Sequence, residues 1–231
     1  MPVYRIPKKL IFPHSTSEKE DITVIGDDLR PNRLLLAYSC GFFPWPWDET
    51  SPLPWVSPAT RLILLPQKLH IPRRTMRIIR QGKFTVTFDQ SFDQVIQQCA
   101  KVPRRDQDGT WITSRIISAY IRLHEMGFAH SVETRFHGEL VGGIYGISLG
   151  GAFFGESMFH LQSDASKVAM AHLIERLQRW NFDLLDAQIT STHMLQLGAH
   201  EVSRAEYLRM LDKALQKETH RGNWSKIADL Q

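Results

Sequence analysis

AHSVETRFHGELVGGIYGISLGGAFFGESMF, residues 129–159, reads as three strands in succession. Ala129 to Phe136 and Glu139 to Ser148 are joined through His137-Gly138, and Ala152 to Phe159 follows Gly150-Gly151, so the pattern predicts an antiparallel meander. Upstream, Thr113 to Met126 carries Ile116, Ile117, Tyr120, Ile121 and Leu123 at helical spacing and stops at Gly127. Downstream, a helix over Ala165 to Trp180 leads to a strand over Phe182 to Gln188. Ser203-Arg204-Ala205-Glu206 then has the spacing of a capping box, and Tyr207, Leu208, Leu211 and Leu215 give the helix it opens an apolar stripe. With Phe84 to Phe88 as a further strand, the expected fold class is α+β: a mixed sheet with flanking helices.

Residues 1–60 read as a separate small lobe. Pro31 suits a helix first turn, Leu34 to Tyr38 continue it, and Gly41 supplies a left-handed stop. The following Phe42-Phe43-Pro44-Trp45-Pro46-Trp47, with Pro52, Pro54, Trp55 and Pro58, fits neither a regular helix nor a central strand and predicts a rigid aromatic loop. Its rings suit either stacking on a splayed nucleotide base or sealing one lobe against the other. Residues 61–219 form the expected main domain, and residues 220–231, without periodicity, a tail.

A chain of 231 residues with 42% hydrophobic content can bury one good core or two modest ones. Two cysteines, Cys40 and Cys99, are too few for a disulfide framework and favour a reducing compartment, with the cytoplasm as the expected location. No apolar run is long enough for a membrane helix, so no membrane partner is expected. Net charge is only +4, but it is unevenly spread. Arg61, Lys68, Arg73, Arg74, Arg77, Arg80 and Lys83 fall in a stretch free of acidic residues, and a helix from Arg73 would align Arg73, Arg77 and Arg80 on one face. That face is either a phosphate-binding ridge or a solvated surface.

Asp186 and Gln188 are two apart on one strand, which places them on one face about 6.6 Å apart, a pair able to hold an amine or simply a polar edge. Glu156 lies among Phe153, Phe154, Met158 and Phe159, with alternation putting it on the face of Phe154 and Met158. A carboxylate there requires a cleft, a cationic ligand or an ion pair with an arginine, and Gly155 beside it allows close backbone approach. His124 and His130 are six apart and cannot share a helical metal site, so no metal is expected. Phosphate loops, nucleophile elbows and dinucleotide fingerprints are absent from the sequence.

One ordered set of blocks carries more than any of these alone: Gly41-Phe42-Phe43-Pro44-Trp45, Gly109-Thr110-Trp111-Ile112-Thr113, His130-Ser131-Val132-Glu133, Leu140 to Gly146, Gly155-Glu156-Ser157-Met158-Phe159, Ala165-Ser166-Lys167, Leu184-Leu185-Asp186-Ala187-Gln188 and Leu197-Gly198-Ala199. Their order and spacing resemble the bacterial leucyl/phenylalanyl-tRNA–protein transferases, from about Phe12 to Tyr207. The resemblance implies a small amino-terminal lobe and a GNAT-like (N-acyltransferase) domain, with no metal and no dissociable coenzyme. It implies leucyl-tRNA and phenylalanyl-tRNA as donors and proteins beginning with Arg or Lys as acceptors. By the same resemblance Phe153, Met158, Ile144 and Leu185 would wall the donor side-chain pocket, Trp45 and Trp111 would sit near the nucleoside, Asp186 and Gln188 would serve the acceptor amine, and Glu156 would favour a cationic first residue. Arg73, Arg74, Arg77, Arg80 and Lys83 would then contact tRNA. Ile144 stands where the family often has methionine, and Leu173 where it often has an aromatic. Two other readings stay open: an acyl-coenzyme A N-acetyltransferase, although Ser163-Asp164-Ala165-Ser166-Lys167 lacks the glycines of a pyrophosphate loop, and a non-catalytic RNA-binding module.

Overall fold

In a computed structural model, which describes residues 3–5, 12, 20–102 and 110–227, the alternating segments become two sheets. The small lobe comprises β1 (Val3–Arg5), β2 (Ile22–Ile25), α1 (Pro31–Ser39), β3 (Phe43–Pro44) and β4 (Pro54–Ser57), with strand order β1-β2-β4-β3. The main domain adds β5 (Thr60–Leu64), α2 (Arg73–Arg80), β6 (Thr85–Phe88), α3 (Phe92–Lys101), α4 (Ser114–Glu125), β7 (Ala129–Phe136), β8 (Glu139–Leu149), β9 (Ala152–His160), α5 (Ala165–Arg179), β10 (Leu184–Gln188), α6 (Thr192–Gln196), β11 (His200–Ser203) and α7 (Arg204–Leu215). Its seven strands run β11-β5-β10-β9-β8-β7-β6. Strands β7 to β9 are the expected antiparallel meander, β6 extends it antiparallel at the β7 edge, and β10 joins β9 in parallel after the α5 crossover. Ser203 caps α7 through Glu206 N–H, as its spacing predicts, and Thr113 caps α4 through Ile116 N–H.

Two apolar layers cover the sheet. One holds Ile63, Tyr145, Ile147, Phe154 and Leu184 against α1, α3, α4 and α7 and continues into the small lobe through Phe43 and Trp55. The other holds Leu62, Leu64, Val132, Ile144, Phe153 and Leu185 against α5, α6 and Trp224. The two sheets are therefore distinct, but the first layer runs unbroken between them.

Three expectations are corrected. Pro54 to Ser57 is a strand interior to the small sheet, between β2 and β3; Pro54 occupies its first position, where its carbonyl accepts from Trp45 N–H at 2.9 Å and a missing amide costs little. The tail is anchored as far as residue 227: Trp224 is fully buried, stacks on His130 at 3.9 Å, and donates its backbone N–H to Asp89 at 2.8 Å. Scattered contacts rather than a periodic stripe hold that segment: besides Trp224, His220 stacks on Trp180 at 4.8 Å and Gly222 N–H donates to Gly127 O at 3.0 Å. Arg61 belongs to β5 and is 1% exposed, so it is no part of a surface cationic run. Gly109, the beginning of the amino-terminal segment and residues 228–231 lie outside the described residues.

The cleft originates in the strands. Parallel pairing of β9 and β10 stops at Asp186↔Phe154, although both strands continue. On β9 the register with β8 slips, Tyr145 facing Ser157 but Gly146 facing Gly155, which leaves Glu156 as the extra residue of a bulge. On β10 the pairing with β5 slips between Asp186 and Gln188, and Gln188 has a left-handed φ of 63°. The two irregular strands part, and the gap opens between Glu156 and Gln188. Glu156's bulge also breaks the expected alternation, sending Phe154 to the first layer and Met158 to the second. Close backbone approach falls at Gly146, where a Cβ would lie 2.2 Å from Phe154 O, rather than at Gly155, whose nearest neighbour would be 3.6 Å away.

Candidate active site

The cleft has a volume of about 480 Å³. Its apolar wall is built by Ile144, Met158, Met170, Leu185 and Met194, and its polar floor by Glu156 and Gln188. Trp45 from the small lobe and Trp111 from the segment before α4 stack at 5.6 Å and 14° along its side. Of the anticipated wall residues, Ile144, Met158 and Leu185 line the cleft. Phe153 does not: it is 1% exposed, packs toward Trp224 at 5.8 Å, and supports the wall from behind.

Asp186 is likewise behind the cleft, fully buried. It receives Arg61 Nε at 2.9 Å and Nη2 at 2.6 Å, Tyr207 Oη at 2.7 Å, and the backbone N–H of Gln188 at 2.8 Å. Burial opposes the charge on Arg61, but Asp186 and Tyr207 beside it hold its guanidinium above its ordinary basicity. That guanidinium lies between the rings of Phe43 at 4.7 Å and Tyr207 at 4.6 Å and donates to Gly41 O at 3.2 Å. The Gly41-Phe42-Phe43 block thus has a physical use: Gly41, at φ 78°, ends α1 so that its carbonyl and the Phe43 ring grip Arg61. Bracing by Arg61 lets Asp186 fix the left-handed backbone of Gln188.

Gln188 in turn donates Nε2 to Glu156 Oε1 at 2.8 Å, leaving its own Oε1 to accept a bond from whatever enters the cleft. Among the described residues Glu156 has no arginine partner of the anticipated kind; it accepts from Tyr38 Oη at 2.7 Å and Tyr120 Oη at 3.0 Å. Burial pushes its pKa up to about 7, against the opposing pull of the two tyrosines and with help from the charge on Asp186. Asp186 and Gln188 therefore share a strand but not a direction: the anchor points inward and the amide into the cleft.

Residues not anticipated at the site are His160, Lys167, Ser166, Ser191 and His193, which line the same cleft. Burial lowers the basicity of His193, whose Nε2 is buried. Lys167 bonds Asp164 at 3.2 Å, and Asp164 pairs with Arg74 at 3.0 Å, so the α2 ridge is linked to the cleft. Arg73, Arg74, Arg77, Arg80 and Lys83 are all exposed. The Asp164 carboxylate stands at the start of α5, a poor place to receive a pyrophosphate. Among the described residues no cluster suits a metal ion and no helix is long and apolar enough to cross a membrane.

Solved structures align distantly, among them FemX (TM-score 0.48, 11% identical, 79% of this chain and 70% of that one) and a GCN5-related N-acetyltransferase from Kribbella flavida (0.38, 10%, 78% and 63%). Sequence comparison reaches much further. Curated relatives described as leucyl/phenylalanyl-tRNA–protein transferases include one from Anaeromyxobacter sp. (strain Fw109-5), 47% identical over 97% of this chain and 95% of its own length. Another, from Maridesulfovibrio salexigens, is 48% identical over 97% and 94%, and one from Thermodesulfovibrio yellowstonii 45% identical over 98% and 92%. The profile described as "Leucyl/phenylalanyl-tRNA protein transferase" matches residues 63–212, and that of its N-terminal domain residues 27–59. With both lobes matched and relatives aligned almost end to end, the chain belongs to the leucyl/phenylalanyl-tRNA–protein transferase family.

Proposed function

We propose that this protein moves leucine or phenylalanine from the 3′ end of a charged tRNA to the amino terminus of a protein beginning with Arg or Lys. The observation that carries the reading is an apolar cleft that ends, where β9 and β10 part, in the Gln188–Glu156 pair. The donor's side chain fits the wall of Ile144, Met158 and Leu185, and its adenosine the Trp45–Trp111 stack. Its phosphates then run toward Lys167 and the α2 ridge. Charged tRNA as donor implies a reaction in the cytoplasm.

The amine nitrogen attacks the ester carbonyl, a C–N bond forms, the bond to the ribose oxygen breaks, and the amine proton ends on that oxygen. An aminoacyl ester is already activated, so the reaction calls for alignment and charge stabilisation rather than a cofactor. Gln188 Oε1 is the group that would receive and aim the amine. Asp186 is a positioning residue, acting through the Gln188 backbone.

The test is transfer of labelled leucine and phenylalanine from charged tRNA to peptides beginning with Arg, Lys or Ala. Product on the two basic peptides, and a fall of roughly 10²-fold or more in kcat for Gln188→Ala with tRNA affinity kept, is the expected outcome. No product from either tRNA while tRNA still binds would remove the transferase reading and leave an RNA-binding module.

A further inference from the structure

The second apolar layer is ordered strand by strand across the sheet. His130 of β7 stands opposite Gly146 of β8, and Phe153 of β9 stands opposite Leu185 of β10. Gly146 is two residues along β8 from Ile144, so both positions face this layer. A Cβ on Gly146 would lie 2.5 Å from the Phe153 ring. That ring therefore fills the space a side chain at 146 would take, beside the wall residues Ile144 on one strand and Leu185 on another.

Behind the ring is Trp224, 5.8 Å away and tilted by 43°. Trp224 lies flat on His130, with ring centroids 3.9 Å apart and 12° between planes, while Trp180 at 5.1 Å and Phe182 at 6.3 Å close its far side. The indole is held in place through its own backbone. Its N–H donates to Asp89 Oδ2 at 2.8 Å, its carbonyl accepts from Arg176 Nη1 at 2.8 Å, and its Nε1 donates to His220 O at 2.9 Å. Asp89 Oδ2 also bonds His130 Nδ1 at 2.8 Å, so one carboxylate fixes both members of the stacked pair. Trp224 is fully buried and does not line the cleft, so whatever it does to a bound molecule passes through Phe153. At interior packing density the Phe153 ring has no room to retreat while the indole is there.

We propose that Trp224 is a specificity-setting positioning residue: by pinning Phe153, the segment 220–227 fixes how deeply a donor side chain enters the wall of Ile144, Met158 and Leu185. The inference rests on the transferase reading and adds to it a carboxy-terminal segment that selects between donor side chains. With the indole shortened, the Phe153 ring moves back into the vacated space and the pocket deepens. Leucine then leaves a gap that phenylalanine fills, and selection moves toward the larger side chain.

The experiment charges one and the same tRNA with leucine or with phenylalanine and measures kcat/KM for each on a peptide beginning with Arg. Contacts to the nucleic acid cancel in the Phe:Leu ratio, and so does any loss of folded enzyme, which scales both rates equally. Trp224→Leu should raise the ratio by about 3- to 10-fold. Trp224→Phe keeps a ring against Phe153; it should raise the ratio by about twofold and decides the matter if the leucine variant does not fold. Phe153→Leu should also raise the ratio, and a folded Trp224 variant added to it should change the ratio no further, because the residue through which the indole acts is gone. A ratio that stays unmoved in whichever Trp224 variants fold, or that moves toward leucine, overturns the inference while product still forms. Shifts that multiply in the double variant also overturn it, since Trp224 would then act without Phe153. Absence of product from the wild type with either donor overturns the transferase reading instead.

Discussion

Asp186 and Glu156 are carboxylates on neighbouring strands that meet opposite environments. Asp186 has a guanidinium locked across both oxygens; Glu156 has two phenols and an amide. The second is held toward its neutral form by burial. Arg61 therefore matters for stability out of proportion to its visibility, since removing it strands a fully buried charge. Arg61→Met should cost about 3–5 kcal/mol in urea unfolding, and Asp186→Asn added to it should return part of that loss. A single-variant cost below about 1 kcal/mol would mean that the pair does not carry the site's framework.

At the scale of elements, the cleft depends on two irregularities rather than on any one strand. Gly146 permits the β9 bulge: an added methyl would meet Phe154 O at 2.2 Å and the Phe153 ring at 2.5 Å, and neither can yield without moving the strand that presents Glu156. Gly146→Ala should therefore lower transfer and stability together, by about 1–3 kcal/mol in unfolding. Gly155→Ala, whose methyl meets only ordinary contacts at 3.6 and 3.8 Å, should have the smaller effect. Equal effects would place the close approach elsewhere. The meander and the α4, α5 and α7 helices were legible because each repeats a period within one segment. The bulges were not, because a bulge is a mismatch between partners, and the sequence of β9 alone does not say which residue β8 leaves unpaired. Arg61 escaped for a similar reason: its partner is 125 residues away, and a local run of cations absorbed it. Phe153 was placed in the wall by resemblance, yet its ring packs behind it, and Trp224 gave no signal because a single buried ring has no period.

Across the whole molecule, the exposed cations of α2 and the polar floor of the cleft are separate surfaces joined by a short polar path. The α2 ridge is exposed, the Gln188–Glu156 floor is half-buried to buried, and Arg74–Asp164–Lys167 connects them. If the ridge follows the tRNA backbone, its cations act by displacing counterions, a long-range contribution that salt weakens, while the floor acts only on the reacting end. Charge reversal of Arg73, Arg77 and Arg80 together should raise the Kd for charged tRNA steeply at low salt. It should also flatten the dependence of log Kd on log salt by about 2 to 3, at roughly 0.7 to 0.9 for each phosphate that is no longer neutralised. At saturating tRNA the same variant should keep kcat within a few-fold of wild type, because none of the three residues lines the cleft. An unchanged salt slope would return the ridge to a solvated surface. A loss of kcat at saturation as large as that of Gln188→Ala would instead show that the ridge sets the position of the ester in the cleft, and that the two surfaces are not separable.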